Sequence, residues 1–188
     1  MKEKIDFKSA YFIGIKGVGM TMLAQFLASR GVRISGSDVL ETFMTDQVLK
    51  KNKIKVSSPF SLANLPSQAD LFVHSSAYTA ENNIEVKELK SRGVKLYSYA
   101  EALGQIFNLY QGIAVCGSHG KTTTSAWLGY VLQAAKKSPN VLVGARVPQF
   151  QGNALVGKSS VMVAEVDEYQ NKLQYFQPQG VLLGNIDY

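Results

Sequence analysis

Two short apolar runs in this 188-residue chain each end at a glycine-containing loop that opens a helical pattern. The first run, residues 11–15, leads into "GIKGVGM", and the second, residues 113–116, leads into "GSHGKTTT". A buried strand, a tight loop and a helix in that order form the unit from which parallel sheets with crossover helices are built. These two joins therefore predict an α/β protein.

Further apolar runs alternate with helical patterns along the rest of the chain. Helices are predicted at 18–31, 45–52, 83–93, 100–107 and 121–135, and strands are predicted at 32–38, 53–57, 70–77, 94–99, 140–145, 159–166 and 180–186. Short loops between such elements imply parallel sheets with helices on both faces. A first block ends near residue 108 and a second follows, so we expect domains at 1–108 and 109–188.

Composition excludes several classes of protein. The net charge of +6 comes from scattered basic residues, which indicates a solvated surface and no nucleic-acid partner. The single cysteine, Cys116, excludes an internal disulfide framework. No apolar run approaches the ~18 residues of a membrane-spanning helix, so we expect a soluble, cytoplasmic protein without membrane insertion.

The loop at 117–122 has the composition of a phosphate-binding loop. Gly117 and Gly120 allow backbone N–H groups to approach anionic oxygens, and the following helix adds its N-terminal dipole. Lys121 supplies a positive charge for the outer phosphates, and the Thr122 hydroxyl can bind Mg²⁺. The motif is the short form G-x-x-G-K-T, because Val115 stands where the longer form has its first glycine. We therefore expect ATP and Mg²⁺ as cofactors.

Acidic residues follow the strand predicted to run beside this loop. "AEVDE" places Glu165 at the strand end, with Asp167 and Glu168 behind it. Carboxylates at that position are suited to a magnesium ion. The spacing by itself fits an exposed acidic loop equally well.

The amino-terminal loop has the spacing of a dinucleotide fingerprint, with Lys16 in place of the second glycine. Asp38 ends the second strand about 20 residues on, where an acid meets a ribose or base. "HSSA" at 74–77 ends another parallel strand at the same sheet edge. The pattern predicts a ligand crevice, although the glycine loop by itself is equally consistent with a tight turn. His74 is more typical of a hydrogen-bonded residue at a strand end than of an acid–base catalyst.

Several stretches together resemble the Mur ligase family. They are "YFIGIKGVGMTMLAQ", "SGSD", "HSSA" with Asn82 soon after, "GSHGKTTT", "QGNALVG", "VAEVDEY" and "YFQPQGVLLGNIDY". The resemblance implies a Rossmann-like uridine-nucleotide domain at 1–108 and the beginning of a P-loop ATPase domain at 109–188. The family pattern continues past Tyr188 and ends in a carboxy-terminal ligase domain, so we expect a portion of a ligase that is inactive by itself.

The resemblance also implies a reaction and a set of site residues. UDP-N-acetylmuramate would be activated by ATP as an acyl phosphate and joined to L-alanine. Catalysis would depend on Lys121 and Glu165, with Thr122 and Glu165 as metal ligands. The nucleotide would be held by Gly117, Ser118, His119, Gly120, Lys121, Thr122, Thr123 and Asn185, the last near the adenine. The uridine substrate would be held by Gly17, Val18, Gly19, Asp38, Ser75, Ser76, Ala77, Asn82 and Asn153, and His119 would face its muramyl side.

Three other functions remain open from the sequence. One is a ligase of the same family that recycles a murein peptide, and another is a catalytically inactive nucleotide-binding module. The intact Lys121–Thr122 pair disfavours the inactive module for a full-length protein. The third is an NAD-dependent oxidoreductase, which Lys16 and the second phosphate loop disfavour.

Overall fold

The computed structural model describes residues 5–147, 150, 152–166 and 169–186. The chain divides into two compact units, an amino-terminal unit over Asp6–Ala102 and a carboxyl-terminal unit that begins at Leu103. This division falls inside a helix, α4, that spans Tyr99–Asn108. Each unit contains its own five-stranded sheet.

The amino-terminal unit alternates strands with helices. Its strands are β1 (Ser9–Ile13), β2 (Arg33–Ser37), β3 (Lys55–Ser57), β4 (Leu71–His74) and β5 (Leu96–Ser98), and its helices before α4 are α1 (Val18–Ser29), α2 (Asp46–Lys51) and α3 (Ile84–Ser91). The strands lie in the order β3-β2-β1-β4-β5, and every pair is parallel. The predicted parallel sheet is confirmed. Strand order reverses between β1 and β4, and ligands of open α/β sheets bind at such a switch point.

The central strand β1 is buried on both faces, as a parallel strand covered by helices requires. Tyr11 and Ile13 pack with Val86 and Leu89 of α3, because alternate strand residues point to the same face. Phe12, between them, points to the other face and is fully buried. This packing holds the carboxyl end of β1 in place beneath the glycine loop that follows it.

The carboxyl-terminal unit is organised around β6, the strand that precedes the second glycine loop. Its elements after α4 are β6 (Gln111–Cys116), α5 (Lys121–Ala134), β7 (Asn140–Val147), β8 (Gly152–Leu155), β9 (Val161–Glu165), a 3₁₀ segment (Tyr169–Tyr175) and β10 (Gly180–Leu183). The strands lie in the order β10-β6-β9-β7-β8. Among the described residues, β7 and β8 pair in antiparallel orientation and the other neighbouring strands are parallel. The sequence prediction contains neither strand β8 nor the 3₁₀ segment. Strand β8 was missed because its sequence, "GNAL", is short and begins with residues of low strand propensity.

Helices cover opposite faces of this second sheet. Val115 and its neighbours in the core pack against apolar residues of α5. Gly112 points the other way, where a Cβ atom would lie 2.2 Å from the Phe107 ring of α4. The lone cysteine, Cys116, is buried at the end of β6. Within the described ranges, no helix is long and apolar enough to cross a membrane.

Candidate functional site

The second glycine loop has the backbone geometry of an anion-binding loop. It joins β6 to α5, and Gly117 and Gly120 adopt φ values of 138° and 78°, a region that glycine enters without steric cost. Gly120 is the N-cap of α5 and has no side chain to accept hydrogen bonds from the first helical turn. The first N–H groups of α5 are therefore of the kind that donate hydrogen bonds to a phosphate.

The side chains predicted to bind ATP and Mg²⁺ meet at this loop. Thr122 Oγ1 donates to the Glu165 carboxylate, at 2.9 Å from Oε2 and 3.1 Å from Oε1. Glu165 reaches this place because β9 runs beside β6 with Val115 and Glu165 paired in register. Lys121 Nζ donates to the carbonyl oxygen of Gly117, so its ammonium lies at the loop itself. The structure therefore brings Lys121, Thr122 and Glu165 together.

Gly144 holds the Glu165 carboxylate and was not identified from the sequence. Its backbone N–H donates to Glu165 Oε2 at 2.8 Å. A Cβ atom on Gly144 would lie 3.2 Å from each carboxylate oxygen, which is tighter than ordinary contact. A glycine within a strand often marks such a close approach, and that was the available sequence signal.

Asn185 ties the segment after β10 to the phosphate loop. Its Oδ1 accepts from the His119 N–H at 2.9 Å, and its Nδ2 donates to the His119 carbonyl oxygen at 3.1 Å. The Ser118 N–H also donates to the Asn185 carbonyl oxygen at 3.4 Å. Asn185 thus orders the loop from a position 66 residues away, and its predicted contact with adenine stays a prediction.

The ligand atoms and N–H groups that these residues offer are of the kinds that bind Mg²⁺ and phosphate. Mg²⁺ prefers oxygen ligands and usually takes one or two carboxylates together with waters and phosphate oxygens. The Thr122–Glu165 pair supplies a hydroxyl and a carboxylate beside an amide-rich loop. No cluster of three or more His, Cys, Asp or Glu side chains occurs among the described residues. Asp167 and Glu168 lie outside those residues, as does the side chain of Asn153.

The amino-terminal unit gathers its predicted ligand residues at the switch point of its own sheet. The glycine loop, residues 14–19, follows β1, and Gly17 and Val18 are exposed at the start of α1. Gly14 adopts φ 82°, and a Cβ atom there would lie 2.6 Å from the Tyr78 ring. A Cβ atom on Gly19 would lie 2.7 Å from the Tyr99 ring. The glycines therefore permit close packing beneath the exposed backbone of the loop.

Asp38 lies at the carboxyl end of β2 and is buried. Its Oδ2 accepts from the Lys16 N–H at 2.6 Å, and its Oδ1 accepts from the Val39 N–H at 2.8 Å. Burial, followed by the charge of the nearby Asp38, raises the pKa of the Tyr78 hydroxyl. The carboxylate thus joins the glycine loop to the start of the next loop, and its predicted contact with a ribose or base stays a prediction.

The Ser75–Ala77 turn lies beyond β4, at the sheet edge where the sequence predicts a crevice. The Ser75 N–H donates to the Ile13 carbonyl oxygen at 2.9 Å, which joins the turn to the end of β1. Asn82 closes the turn by accepting from the Thr79 N–H at 2.7 Å and donating to the Ala77 carbonyl oxygen at 3.0 Å. Ser76 and Ala77 are exposed between these ties.

His74 has a structural role at the end of β4. Its Nδ1 lies 3.0 Å from the Ser75 carbonyl oxygen and 2.9 Å from the Tyr78 carbonyl oxygen, so this nitrogen carries the proton. These two bonds match the hydrogen-bonded strand-end residue favoured by the sequence.

A buried carboxylate lies behind this crevice and was not identified from the sequence. Glu85 of α3 is fully buried and accepts from the Tyr11 hydroxyl at 3.2 Å and from the Ser37 hydroxyl. It also accepts from the Ser61 N–H at 2.9 Å and from Asn64 Nδ2 at 3.1 Å. Burial raises the pKa of Tyr11 well above its ordinary value. Glu85 therefore links β1, β2, α3 and the segment after β3.

Comparison with known proteins agrees with this arrangement. A family model described as "Mur ligase family, catalytic domain" matches residues 9–111. The UDP-N-acetylmuramate–L-alanine ligase of Borreliella burgdorferi is 40% identical over 98% of this chain and 41% of its own length. The corresponding ligase of Desulfitobacterium hafniense is 41% identical over 95% of this chain and 39% of its own length. The chain thus spans about two fifths of the length of these relatives.

Solved structures of related ligases have the same fold. The structure of UDP-N-acetylmuramate–alanine ligase from Thermotoga maritima matches with a TM-score of 0.85 and 28% identity, over 96% of this chain and 41% of that one. A ligase from Neisseria meningitides, named UDP-N-acetylmuramate:L-alanyl-gamma-D-glutamyl-meso-diaminopimelate ligase, matches with a TM-score of 0.86 and 26% identity, over 96% and 61%. The family model, the relatives and the fold agree, and the chain belongs to the Mur ligase family.

Proposed function

We propose that this chain carries the nucleotide-binding part of an ATP-dependent, ADP-forming ligase of peptidoglycan precursor synthesis, which adds L-alanine to UDP-N-acetylmuramate. The observation that supports it most strongly is the phosphate loop, where Lys121 and the Thr122–Glu165 pair meet at the start of α5. The relatives named as L-alanine ligases support the choice of substrates.

The proposed reaction has two steps. The lactyl carboxylate of UDP-N-acetylmuramate attacks the γ-phosphorus of ATP, which forms an acyl phosphate and releases ADP. The amine of L-alanine then attacks the acyl carbon, loses a proton and displaces phosphate. Both partners of the first step are anions, so the protein must neutralise charge as they approach.

The residues of the carboxyl-terminal unit have separate roles in this scheme. The N–H groups of the first turn of α5 hold phosphate oxygens, and Lys121 balances their negative charge. Thr122 and Glu165 hold Mg²⁺, which when bound lowers the charge repulsion between carboxylate and phosphate. Gly144 keeps the Glu165 carboxylate directed at the Thr122 hydroxyl.

The amino-terminal unit binds the other substrate in this proposal. Val18 and Gly19 present backbone N–H groups of the first turn of α1 to the diphosphate, and Gly17, whose own N–H donates to the Gly14 carbonyl oxygen at 3.3 Å, is the N-cap beside them. Asp38 and the turn at Ser75–Ala77 flank that position at the carboxyl ends of neighbouring strands. This unit therefore selects the uridine nucleotide.

Calorimetric titration of this chain with UDP-N-acetylmuramate, and separately with ATP and Mg²⁺, tests both assignments. We expect the sugar nucleotide to bind and ATP to bind weakly, because the relatives contain much more chain than the matched segment. Lys121→Met should abolish any ATP binding and leave sugar-nucleotide binding unchanged. Lys137→Met, at an exposed lysine after the same helix, is the matched control. Folded protein that does not bind UDP-N-acetylmuramate would contradict the proposal.

We also expect that the chain does not complete the reaction by itself. Phosphate release that depends on L-alanine, measured with all substrates present, should equal the background without protein. Turnover by the chain would show that residues beyond the matched segment are dispensable.

A second candidate is a ligase that joins UDP-N-acetylmuramate to a murein peptide. The Neisseria meningitides enzyme, whose name states that kind of acceptor, supports it through its TM-score of 0.86 over 96% of this chain. A full-length protein with this segment would distinguish the two candidates by ADP release with L-alanine or with the tripeptide as acceptor. Release only with the tripeptide would favour the second candidate.

A further inference from the structure

Lys16, which replaces the second glycine of the fingerprint, has a buried side chain that contacts one loop. Its Nζ donates to the carbonyl oxygens of Val39 and Glu41, at 2.8 Å and 2.7 Å, and lies 3.8 Å from Asp46 Oδ1. The same ammonium lies 5.8 Å from the centre of the Phe43 ring. Two carbonyl oxygens therefore accept hydrogen bonds from this ammonium, and a carboxylate of the same segment balances its charge.

The backbone of Lys16 holds the two ends of the same loop. Its N–H donates to Asp38 Oδ2 at 2.6 Å, at the beginning of the loop. Its carbonyl oxygen accepts from Thr45 Oγ1 at 2.5 Å, at the end of the loop. One residue of the glycine loop therefore contacts residues 38–46 at the beginning, the middle and the end.

The middle of the 38–46 loop is poorly supported by apolar packing. Leu40, Phe43 and Met44 are 70%, 44% and 93% exposed. Large apolar side chains with that exposure contribute little burial energy to the position of a loop. The placement of the loop therefore depends mainly on its contacts with Lys16 and on the hydrogen bonds at its ends.

We propose that Lys16 is a positioning residue of the nucleotide crevice, whose ammonium holds loop 38–46 beside the glycine loop without touching the nucleotide. Its contacts fix Asp38 next to Gly17, at the place where the uridine nucleotide would bind. The inference rests on the proposed function of this crevice. The same role explains why a lysine can stand at this position of the fingerprint. Its charge is balanced by the loop, and the exposed N–H groups of α1 can still bind phosphate.

Binding of UDP measures this role. With Lys16→Met, two hydrogen bonds from a charged donor and an ion pair are lost, and water replaces them in part. We expect the Kd for UDP to rise about tenfold. Lys16→Arg keeps a charged donor of different shape and should limit the rise to about threefold. Lys87→Met, at an exposed lysine of α3, is the matched control and should leave the Kd unchanged.

Hydrogen exchange of backbone amides separates positioning from a general loss of structure. In Lys16→Met we expect faster exchange over residues 38–46 and unchanged exchange in β1 and β4. An unchanged Kd would overturn the inference, and so would a raised Kd with unchanged exchange in the loop, because that result would indicate direct contact with the nucleotide. If Lys16→Met does not fold, Lys16→Arg tests the inference in its place. Faster exchange of the loop in Lys16→Arg without any loss of UDP affinity would then overturn the inference.

The two proposals fail in different ways. If the unsubstituted, folded chain does not bind UDP, the proposed function of the crevice is wrong and the inference falls with it. If that chain binds UDP and the Lys16 variants bind equally well, the crevice stands and only the role of Lys16 is wrong.

Discussion

Replacement of Glu85 by alanine tests the buried polar network of the amino-terminal unit. The carboxylate is fully buried and accepts hydrogen bonds from four donors, two of which belong to the buried residues Tyr11 and Ser37. Alanine leaves those two hydroxyl donors without their acceptor in the core. Each such loss costs about 1–3 kcal/mol, so we expect a total loss of about 2–6 kcal/mol. Removal of a buried charge recovers part of its desolvation energy, which places our expectation near 3 kcal/mol.

The control lies on the same helix. Glu88 forms an exposed ion pair with Arg92 four residues later, with Oε1 and Nε 2.8 Å apart. Pairs of that kind contribute about 0.3–0.5 kcal/mol, so Glu88→Ala should scarcely change stability. Both substitutions replace glutamate by alanine, at positions three residues apart on α3. The two glutamates differ in burial and in their hydrogen-bond partners.

Hydrogen exchange read by mass spectrometry is the appropriate assay, because it reports each unit separately. The only tryptophan, Trp127, is 75% exposed on α5 in the carboxyl-terminal unit, so its fluorescence does not report on Glu85. The free energy of opening for peptides from β1 and α3 should fall by about 3 kcal/mol in Glu85→Ala. A loss no larger than that of Glu88→Ala would refute the reasoning that this network stabilises the unit.

Three further substitutions have defined outcomes. Because burial raises the pKa of Tyr11, its contribution to stability is present below pH ~10 and is lost as the pH rises further. Tyr11→Phe should remove part of this alkaline destabilisation, measured by urea denaturation with circular dichroism between about pH 8 and pH 11. Gly144→Ala places a methyl group 3.2 Å from both Glu165 oxygens and should weaken Mg²⁺-dependent ATP binding about tenfold, measured by calorimetry, with little change in Tm. Gly157→Ala places Cβ 1.9 Å from the Ser138 carbonyl oxygen and should destabilise the carboxyl-terminal unit by about 3 kcal/mol, measured by hydrogen exchange in peptides from β6 and β9.

Local patterns in the sequence were sufficient for the class of fold and for the two strand–loop–helix joins at which the candidate sites lie. Apolar runs that end at glycine loops predicted the parallel strands β1 and β6, and the helical patterns predicted α1 and α5. Phosphate loops depend on short-range geometry, in which glycines, a lysine and a threonine must follow a strand directly. A pattern of adjacent residues therefore carries the signal. The Mur ligase family model matches residues 9–111, which contain the first of the two glycine loops.

Pairings over long sequence distances were not predictable in this way. Asn185 contacts His119 across 66 residues, and Glu85 contacts Tyr11 across 74 residues. A side chain in such a contact leaves no periodic trace near its partner. Asparagine in a loop after a strand and glutamate in a first helical turn are both common in solvent-exposed positions, so neither residue indicates its role locally.

The sequence by itself determined the alternation of strands and helices, the two glycine loops and the residue types at their ends, because hydrophobic periodicity and backbone sterics act within a few residues. Only the tertiary structure decided that the Lys16 ammonium contacts the loop at 38–46, that Gly144 supports Glu165, and that a fully buried glutamate joins four segments of the amino-terminal unit. The physical reason is that a charged or polar group receives its partners from whichever segments the fold brings within hydrogen-bonding distance.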